Sequence, residues 1–161
     1  MEIRRAVEDD AEAVAGVLAR VAEERVWIGT EPPVDVIARA ERIREELATG
    51  RAVGWVAIAD GDVVGSLDLR RRERDPAVAT LGLALVPEAR GRGGGARLLQ
   101  TALEYASETG MHKLDLEVWL ENARAIGLYA ANGFQVEGLR RDHYLRGDGE
   151  YRSTLVMARF I

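Results

Sequence analysis

Between Leu81 and Gln100 the chain passes from strand character to helix character through a loop built almost wholly of glycine and arginine: Leu-Gly-Leu-Ala-Leu-Val-Pro-Glu-Ala-Arg-Gly-Arg-Gly-Gly-Gly-Ala-Arg-Leu-Leu-Gln. The apolar run from Ala77 to Val86 predicts a strand, Pro87 stops it, and Leu98, Leu99, Ala102, Leu103 and Ala106 recur at helical spacing. A junction of this kind turns main-chain N–H groups in one direction, and the first four of the helix have no partner inside it. It therefore attracts an anion such as a pyrophosphate. The predicted anion-binding residues are Arg90, Gly91, Arg92, Gly93, Gly95 and Ala96. The glycines let a phosphate approach the backbone, and Arg90 and Arg92 offer charge-assisted hydrogen bonds. Two other phosphate motifs do not fit. The only lysine of the chain is Lys113, so there is no Gly-Lys-Ser/Thr loop, and the first glycine stands too far behind the strand for a dinucleotide fingerprint.

Composition narrows the function classes. At 161 residues, with 47% hydrophobic and 30% charged side chains, the chain predicts one globular domain over residues 1–161. A formal net charge of −5 argues against a general nucleic-acid binder and mildly favours a cationic ligand. With no cysteine there is no disulfide, no thiolate metal site and no cysteine nucleophile; two histidines, His112 and His143, are too few for a histidine-based metal centre, and none is expected. No apolar run approaches a membrane span, and the segment Met1–Val7 is too charged for a signal peptide, so the expected location is cytoplasmic, with no membrane partner.

Taken in order, Glu2–Val7 predicts a strand and Asp9 or Asp10 a cap for a helix whose Val14, Val17, Leu18 and Val21 share one face. Gly29 and the Pro32-Pro33 pair then impose a loop, and Ile37, Ala40, Ile43 and Leu47 mark a second helix. This irregular segment, with Trp27, Ile28 and Glu31, is the natural wall of a substrate pocket; Trp27 and Glu31 are the candidate substrate residues. Val53–Asp60 and Val63–Arg72 predict a hairpin about Asp60-Gly61-Asp62. The arginines Arg70, Arg71, Arg72 and Arg74 at its end could hold a phosphate or an acidic substrate, but a short charge run reads first as a solvated strand terminus. After the long helix, Leu114, Leu116 and Val118 alternate with polar neighbours as in a strand, Asn122–Asn132 predicts a short helix stopped at Gly133, and Phe134–Tyr144 pairs with Tyr151–Arg159 about Gly147-Asp148-Gly149.

Two motifs carry a family resemblance. Arg90, Gly93 and Gly95 stand as Arg-x-x-Gly-x-Gly behind a strand ending in Val-Pro, and Asn122, Ala125, Leu128, Tyr129, Gly133 and Phe134 stand as Asn-x-x-Ala-x-x-Leu-Tyr-x-x-x-Gly-Phe. Together, in this order, they resemble the acetyl-CoA-binding loop and contact helix of the GNAT superfamily of N-acetyltransferases. The resemblance implies an α/β fold with a mixed sheet of about seven strands, a central parallel pair that splays apart, and four helices. It implies acetyl-CoA as cosubstrate without a metal, and direct transfer of the acetyl group to a primary amine in a ternary complex, the acceptor being a small molecule, an amino acid or a peptide N-terminus. A homodimer through the C-terminal strands is a further implication. A non-catalytic acyl-CoA sensor is the alternative.

The resemblance also distributes roles. Main-chain groups of Leu85 and Val86 would pair with the pantetheine amides, Asn122 would hold the pantetheine arm, and Tyr129 would return a proton to the departing sulfur. A base is harder to assign. An alkyl ammonium is about three pKa units from neutral, so presenting it as the free amine costs on the order of 4 kcal/mol. Many family members use a strand-four glutamate, but Thr80, Gly82 and Ala84 occupy that region. Glu117 resembles the base of the ribosomal-protein N-terminal acetyltransferases and is the first candidate; Glu31, acting through water or on the amine itself, is the second.

Overall fold

Strand alternation and helix periodicity separate the chain into a sheet and two helical layers. The computed structural model describes residues 1–161. It contains strands β1 (Glu2–Arg5), β2 (Ala52–Ala59), β3 (Asp62–Arg71), β4 (Val78–Leu85), β5 (Lys113–Trp119), β6 (Gln135–Leu145) and β7 (Tyr151–Phe160), and helices α1 (Ala11–Glu23), α2 (Val36–Ala48), α3 (Gly94–Glu108) and α4 (Ala123–Ala131). All seven strands form one sheet in the order β1-β2-β3-β4-β5-β7-β6. Only β4 and β5 are parallel neighbours, joined by the α3 crossover.

The functional opening comes from the register of that pair. β4 is bonded to β3 from Arg71↔Ala79 to Gly65↔Leu85, and β5 to β7 from Lys113↔Phe160 to Trp119↔Thr154. Between them only Val78↔Lys113, Ala79↔Leu114 and Thr80↔Asp115 are paired. Each half of the sheet follows its own partner, and β4 and β5 part beyond Thr80. The expected splayed pair is therefore present, inside a mixed α/β fold with seven strands and four helices.

Helices α1 and α2 cover one face, where Ala11, Val14 and Ala15 meet Ala40, Ile43 and the β2 residue Val56. On the other face the α3 residues Leu98, Leu99, Ala102, Leu103 and Ala106 pack among Leu67, Leu69, Leu81, Leu114 and Leu116. Leu98 and Leu99 are wholly buried; truncating either to Ala costs about 2–5 kcal/mol. Asp35 caps α2, its Oδ1 accepting from Ala38 N–H at 3.0 Å, and Asn122 caps α4 in the same way through Ala125 N–H at 3.1 Å.

Two expectations need correcting. Asp10 precedes α1 but does not cap it; its carboxylate accepts two Arg4 bonds at 2.7 and 2.8 Å and the Val7 N–H at 2.9 Å, tying β1 to the helix entry. Nor do the arginines at the end of β3 form a merely solvated terminus. Arg70 pairs with Glu46 of α2 at 3.0 Å, Arg71 donates to the Tyr105 hydroxyl at 3.1 Å, and Arg72 bonds Asp115. Their partners lie on three different elements, so the charge run alone could not reveal them.

Candidate active site

The cofactor side is built from backbone. Gly91 and Gly93 have φ of 71° and 78°, a region costly for residues with a Cβ. That geometry turns the loop into α3, whose first bond runs from Arg97 N–H to Gly93 O at 3.0 Å. The N–H groups of Gly91 through Ala96 find no acceptor in the chain, which leaves a run of donors at a positive helix end. The Arg92 side chain beside them is exposed and makes no ion pair. Arg90 differs from the sequence expectation. Its Nε donates to Leu85 O at 3.0 Å and its two Nη atoms to Glu24 at 2.9 and 2.5 Å, so the guanidinium braces the loop against α1 and is not presented to a phosphate.

Strand parity decides which β4 groups face the splay. Val86 N–H donates to Val64 O at 3.0 Å and Arg72 N–H to Val78 O at 2.9 Å, so the even-numbered residues of β4 bond β3. By the alternation of an antiparallel ladder, the N–H and C=O of Leu83 and Leu85 point the other way, toward the gap. Leu85 thus turns its main-chain groups toward the gap, with its carbonyl accepting from Arg90. Val86 is corrected: Val64 takes its N–H, and its oxygen accepts from Ala89 N–H at 3.0 Å. Leu83, not singled out in the sequence, turns its N–H and C=O toward the gap as Leu85 does, and only the parity of β4 identifies it.

Helix α4 borders the same loop, since a Cβ on Gly95 would lie 3.5 Å from the Leu128 side chain. Asn122 spends its Oδ1 on the helix cap and keeps its amide N–H2 free. Tyr129 is 6% exposed and packs its ring against Phe134, centroids 5.7 Å apart. Burial pushes its phenol up to about 12, so it stays protonated at neutral pH, and no group of the chain bonds its hydroxyl.

On the α1/α2 face, charged side chains from distant segments meet. Trp27 donates its indole N–H to Glu24 at 2.8 Å and lies under Arg90, 6.0 Å from the ring centroid. Glu31 accepts Gly147 N–H at 3.0 Å and pairs with Arg146 at 3.0 Å; Arg146 also donates to Gly29 O at 2.8 Å. Glu31 therefore latches the α1–α2 loop to the β6–β7 turn. Glu117 points to this face from β5, where its Oε2 accepts the Tyr144 hydroxyl at 2.7 Å and the Thr154 hydroxyl at 2.9 Å, and its Oε1 pairs with Arg140 at 3.3 Å. Three side chains hold it there. Glu24, Tyr144 and Arg146 carry no motif and could not be found from the sequence.

A separate groove of about 510 Å³ runs along Gly133, Gln135, Glu137 and Phe160. Phe160 is opposite Lys113, so this groove lies at the closed end of the β4–β5 pair, away from the loop. No helix is long and apolar enough to cross a membrane, and no three acidic or histidine side chains converge as a metal group.

A mixed sheet split between β4 and β5, with unpaired main-chain donors at the head of α3, defines an acyltransferase-type scaffold. The acetyltransferase (GNAT) family pattern matches residues 18–134, and the chain belongs to that family. It is 36% identical over 107 residues to the L-amino acid N-acetyltransferase of Escherichia coli (strain K12), a match spanning 65% of this chain and 65% of that protein, just under two thirds of its length. The crystal structure of ribosomal-protein-alanine N-acetyltransferase from Brucella melitensis is similar over 100% of both chains, with a TM-score of 0.89 and 27% identity. A phosphinothricin acetyltransferase from Sinorhizobium meliloti, solved in complex with acetyl-CoA, shares the fold at TM-score 0.88 and 24% identity, over 99% of this chain and 88% of that one.

Proposed function

We propose that this protein transfers an acetyl group from acetyl-CoA directly to a primary amine, the acceptor being a small molecule, an amino acid or a peptide N-terminus. The observation that carries the proposal is the run of free N–H groups from Gly91 to Ala96 at the mouth of the splayed strands. Six adjacent donors without a chain acceptor suit the two phosphates of a coenzyme A, and the cosubstrate supplies the activated thioester. Arg92 adds charge at the loop, while Leu83 and Leu85 offer main-chain groups, and Asn122 an amide, to the pantetheine arm.

Tyr129 is the general acid in this reading. A buried phenol with no partner keeps its proton until a thiolate needs it, and general acid–base help of this sort contributes about 10²–10⁴-fold. An acyl-CoA sensor would have no use for such a group, which favours the enzyme. Glu117, held by Tyr144, Thr154 and Arg140, offers a carboxylate to the amine from β5, and the segment from Trp27 to Glu31 forms the acceptor wall.

The test is release of free thiol from acetyl-CoA with a panel containing the common L-amino acids, spermidine and an alanine-initiated peptide. Amine-dependent release is the expected result. Stabilisation by acetyl-CoA without release from any amine would turn the reading to the sensor, and no change in melting temperature on adding acetyl-CoA would remove both.

A further inference from the structure

Transfer to an ammonium needs a group that takes a proton, and β4 supplies none: on the α1/α2 face it presents Thr80, Gly82 and Ala84. Glu31 and Glu117 are held by other donors. One carboxylate on that face accepts no hydrogen bond. Asp68 stands opposite Gly82 in the β3–β4 register, just past the Thr80↔Asp115 pair at which β4 and β5 separate. A Cβ built on Gly82 would lie 3.0 Å from Asp68 Oδ1, so the Asp68 side chain leans across β4 into the space that a β4 side chain would take.

Its environment is that of an idle acid. Oδ2 is fully covered with no hydrogen-bond partner, although the Arg70 guanidinium comes to 3.4 Å. Oδ1 has no donor in the chain either and is not covered, and 31% of the side-chain surface stays open. Val14 and Leu18 of α1 and Ile43 of α2 wall the adjoining cavity of about 30 Å³. The charged groups that face Asp68 are Arg70 on its own strand and Glu46 and Arg39 on α2; burial outweighs the two arginines and pushes its carboxyl up to about 6. A half-buried carboxylate with one covered oxygen, no hydrogen-bond donor and its nearest cation at 3.4 Å is costly to keep, and such a group is a functional-site candidate.

We propose that Asp68 is the proton acceptor for the incoming amine, a β3 carboxylate reaching through the gap left by Gly82. The inference rests on the acetyl-transfer reading above. The acceptor enters as an ammonium and gives one proton to Asp68 Oδ1. The nitrogen lone pair then forms the C–N bond to the acetyl carbonyl while the C–S bond breaks with its electrons on sulfur. Sulfur takes the Tyr129 proton, and the second nitrogen proton passes through solvent to the Tyr129 oxygen. The products are the amide, the free thiol and one proton, which leaves from Asp68.

The test compares wild type, Asp68→Asn and the double variant Asp68→Ala/Gly82→Glu, using the best acceptor of the amine panel. Wild type should show an acid limb in kcat/KM with a midpoint near pH 6, the value to which burial moves Asp68. Asp68→Asn should lose that limb and about 100-fold of kcat/KM at pH 7, and the double variant, with its carboxylate on β4, should regain the limb. A merely structural aspartate would not be rescued from the neighbouring strand. Asp68→Asn with an unchanged limb and kcat/KM within threefold of wild type overturns the proposal while leaving acetyl transfer intact; a wild type inactive on every amine overturns acetyl transfer itself. Should the variants fail to fold, ¹³C titration of the wild-type carboxyl with CoA bound decides the matter. A midpoint that moves down on adding the acceptor amine supports the proposal, and one that does not move overturns it.

Discussion

The loop from Gly91 to Ala96 follows β4 and Asp68 stands across from Gly82 of the same strand, yet the two regions are built from opposite materials. The loop works through consecutive main-chain N–H groups, needs no particular side chain, and is complete within six residues of sequence. The cleft gathers carboxylates from β3, β5 and the α1–α2 loop, whose surroundings come mostly from other elements of the chain. Backbone recognition is local and survives in a motif. Side-chain electrostatics exists only after folding, because the same aspartate is an ordinary surface acid or a proton acceptor according to what covers it.

Tyr129 belongs to neither half, and removing its hydroxyl is the largest expected effect. Tyr129→Phe should lower kcat by about 10²–10³-fold, or roughly 3–4 kcal/mol of transition-state stabilisation, with the KM for acetyl-CoA within a factor of about two. Steady-state kinetics with both substrates varied makes the check. A loss that appeared in KM instead would mean that the phenol helps to form the binding surface, and the two halves would not be separable.

Asp68 sharpens the contrast from the cleft side, since its cost should appear in stability. Its folded value of about 6 lies above the ordinary 3.8. Between those values the folded chain binds the additional proton, so stability declines as pH rises through that window and the penalty is complete above it. Asp68→Asn should therefore gain on the order of 2 kcal/mol at pH 8 and almost nothing at pH 4. Urea unfolding at both pH values measures this; a variant equally stabilised at pH 4 would show that ionisation is not the cost.

The loop should fail differently. Gly93→Val places a β-branched residue at φ 78°, a conformation that costs about 1–2 kcal/mol, so the loop will shift to relieve it. The expected result is a tenfold or greater rise in the KM for acetyl-CoA, with kcat at saturating cosubstrate reduced no more than about threefold. Equal losses in both parameters would show that loop and cleft are coupled more tightly than their separate construction implies.

What the sequence disclosed follows the same division. Strand alternation, helix spacing and turn glycines located the seven strands, α2 and α4 to within about two residues of their observed ends, and the two motifs pointed to the loop whose N–H groups are free and to α4 with Asn122 and Tyr129. Those signals are short-range. Val86 failed by one residue because the parity of β4 depends on its bonds to β3, and Arg90 was misread because its partner Glu24 lies 66 positions earlier. Asp68 gave no signal at all. Within Leu67-Asp68-Leu69 it has the ordinary alternation of a strand with one wet face, and only the missing Cβ across the register gives it meaning.

Glu24 and Arg90 form the seam between the halves, and their effect should be the smallest. Arg90 holds the carbonyl of Leu85 at the splayed edge of β4, while Glu24 accepts from both Arg90 and the indole of Trp27 at the start of the α1–α2 loop. The Arg90 hydrogen bond keeps the Glu24 carboxyl below its usual range. The unfolded chain therefore binds the proton first as pH falls. The stabilisation is fully present above the unfolded value, near 4.3, and drains away as pH drops through the folded one. A double-mutant cycle of Glu24→Gln and Arg90→Met should give a coupling of about 1–2 kcal/mol at pH 7, fading below pH 4. Arg90→Met alone should cost more than Glu24→Gln, because it also strips Leu85 O of a donor. If the pair only fastens α1 to the loop, kinetics at pH 7 will be unchanged in Glu24→Gln. If it transmits cofactor binding to the acceptor wall, the KM for the amine will rise in that variant although Glu24 touches neither substrate.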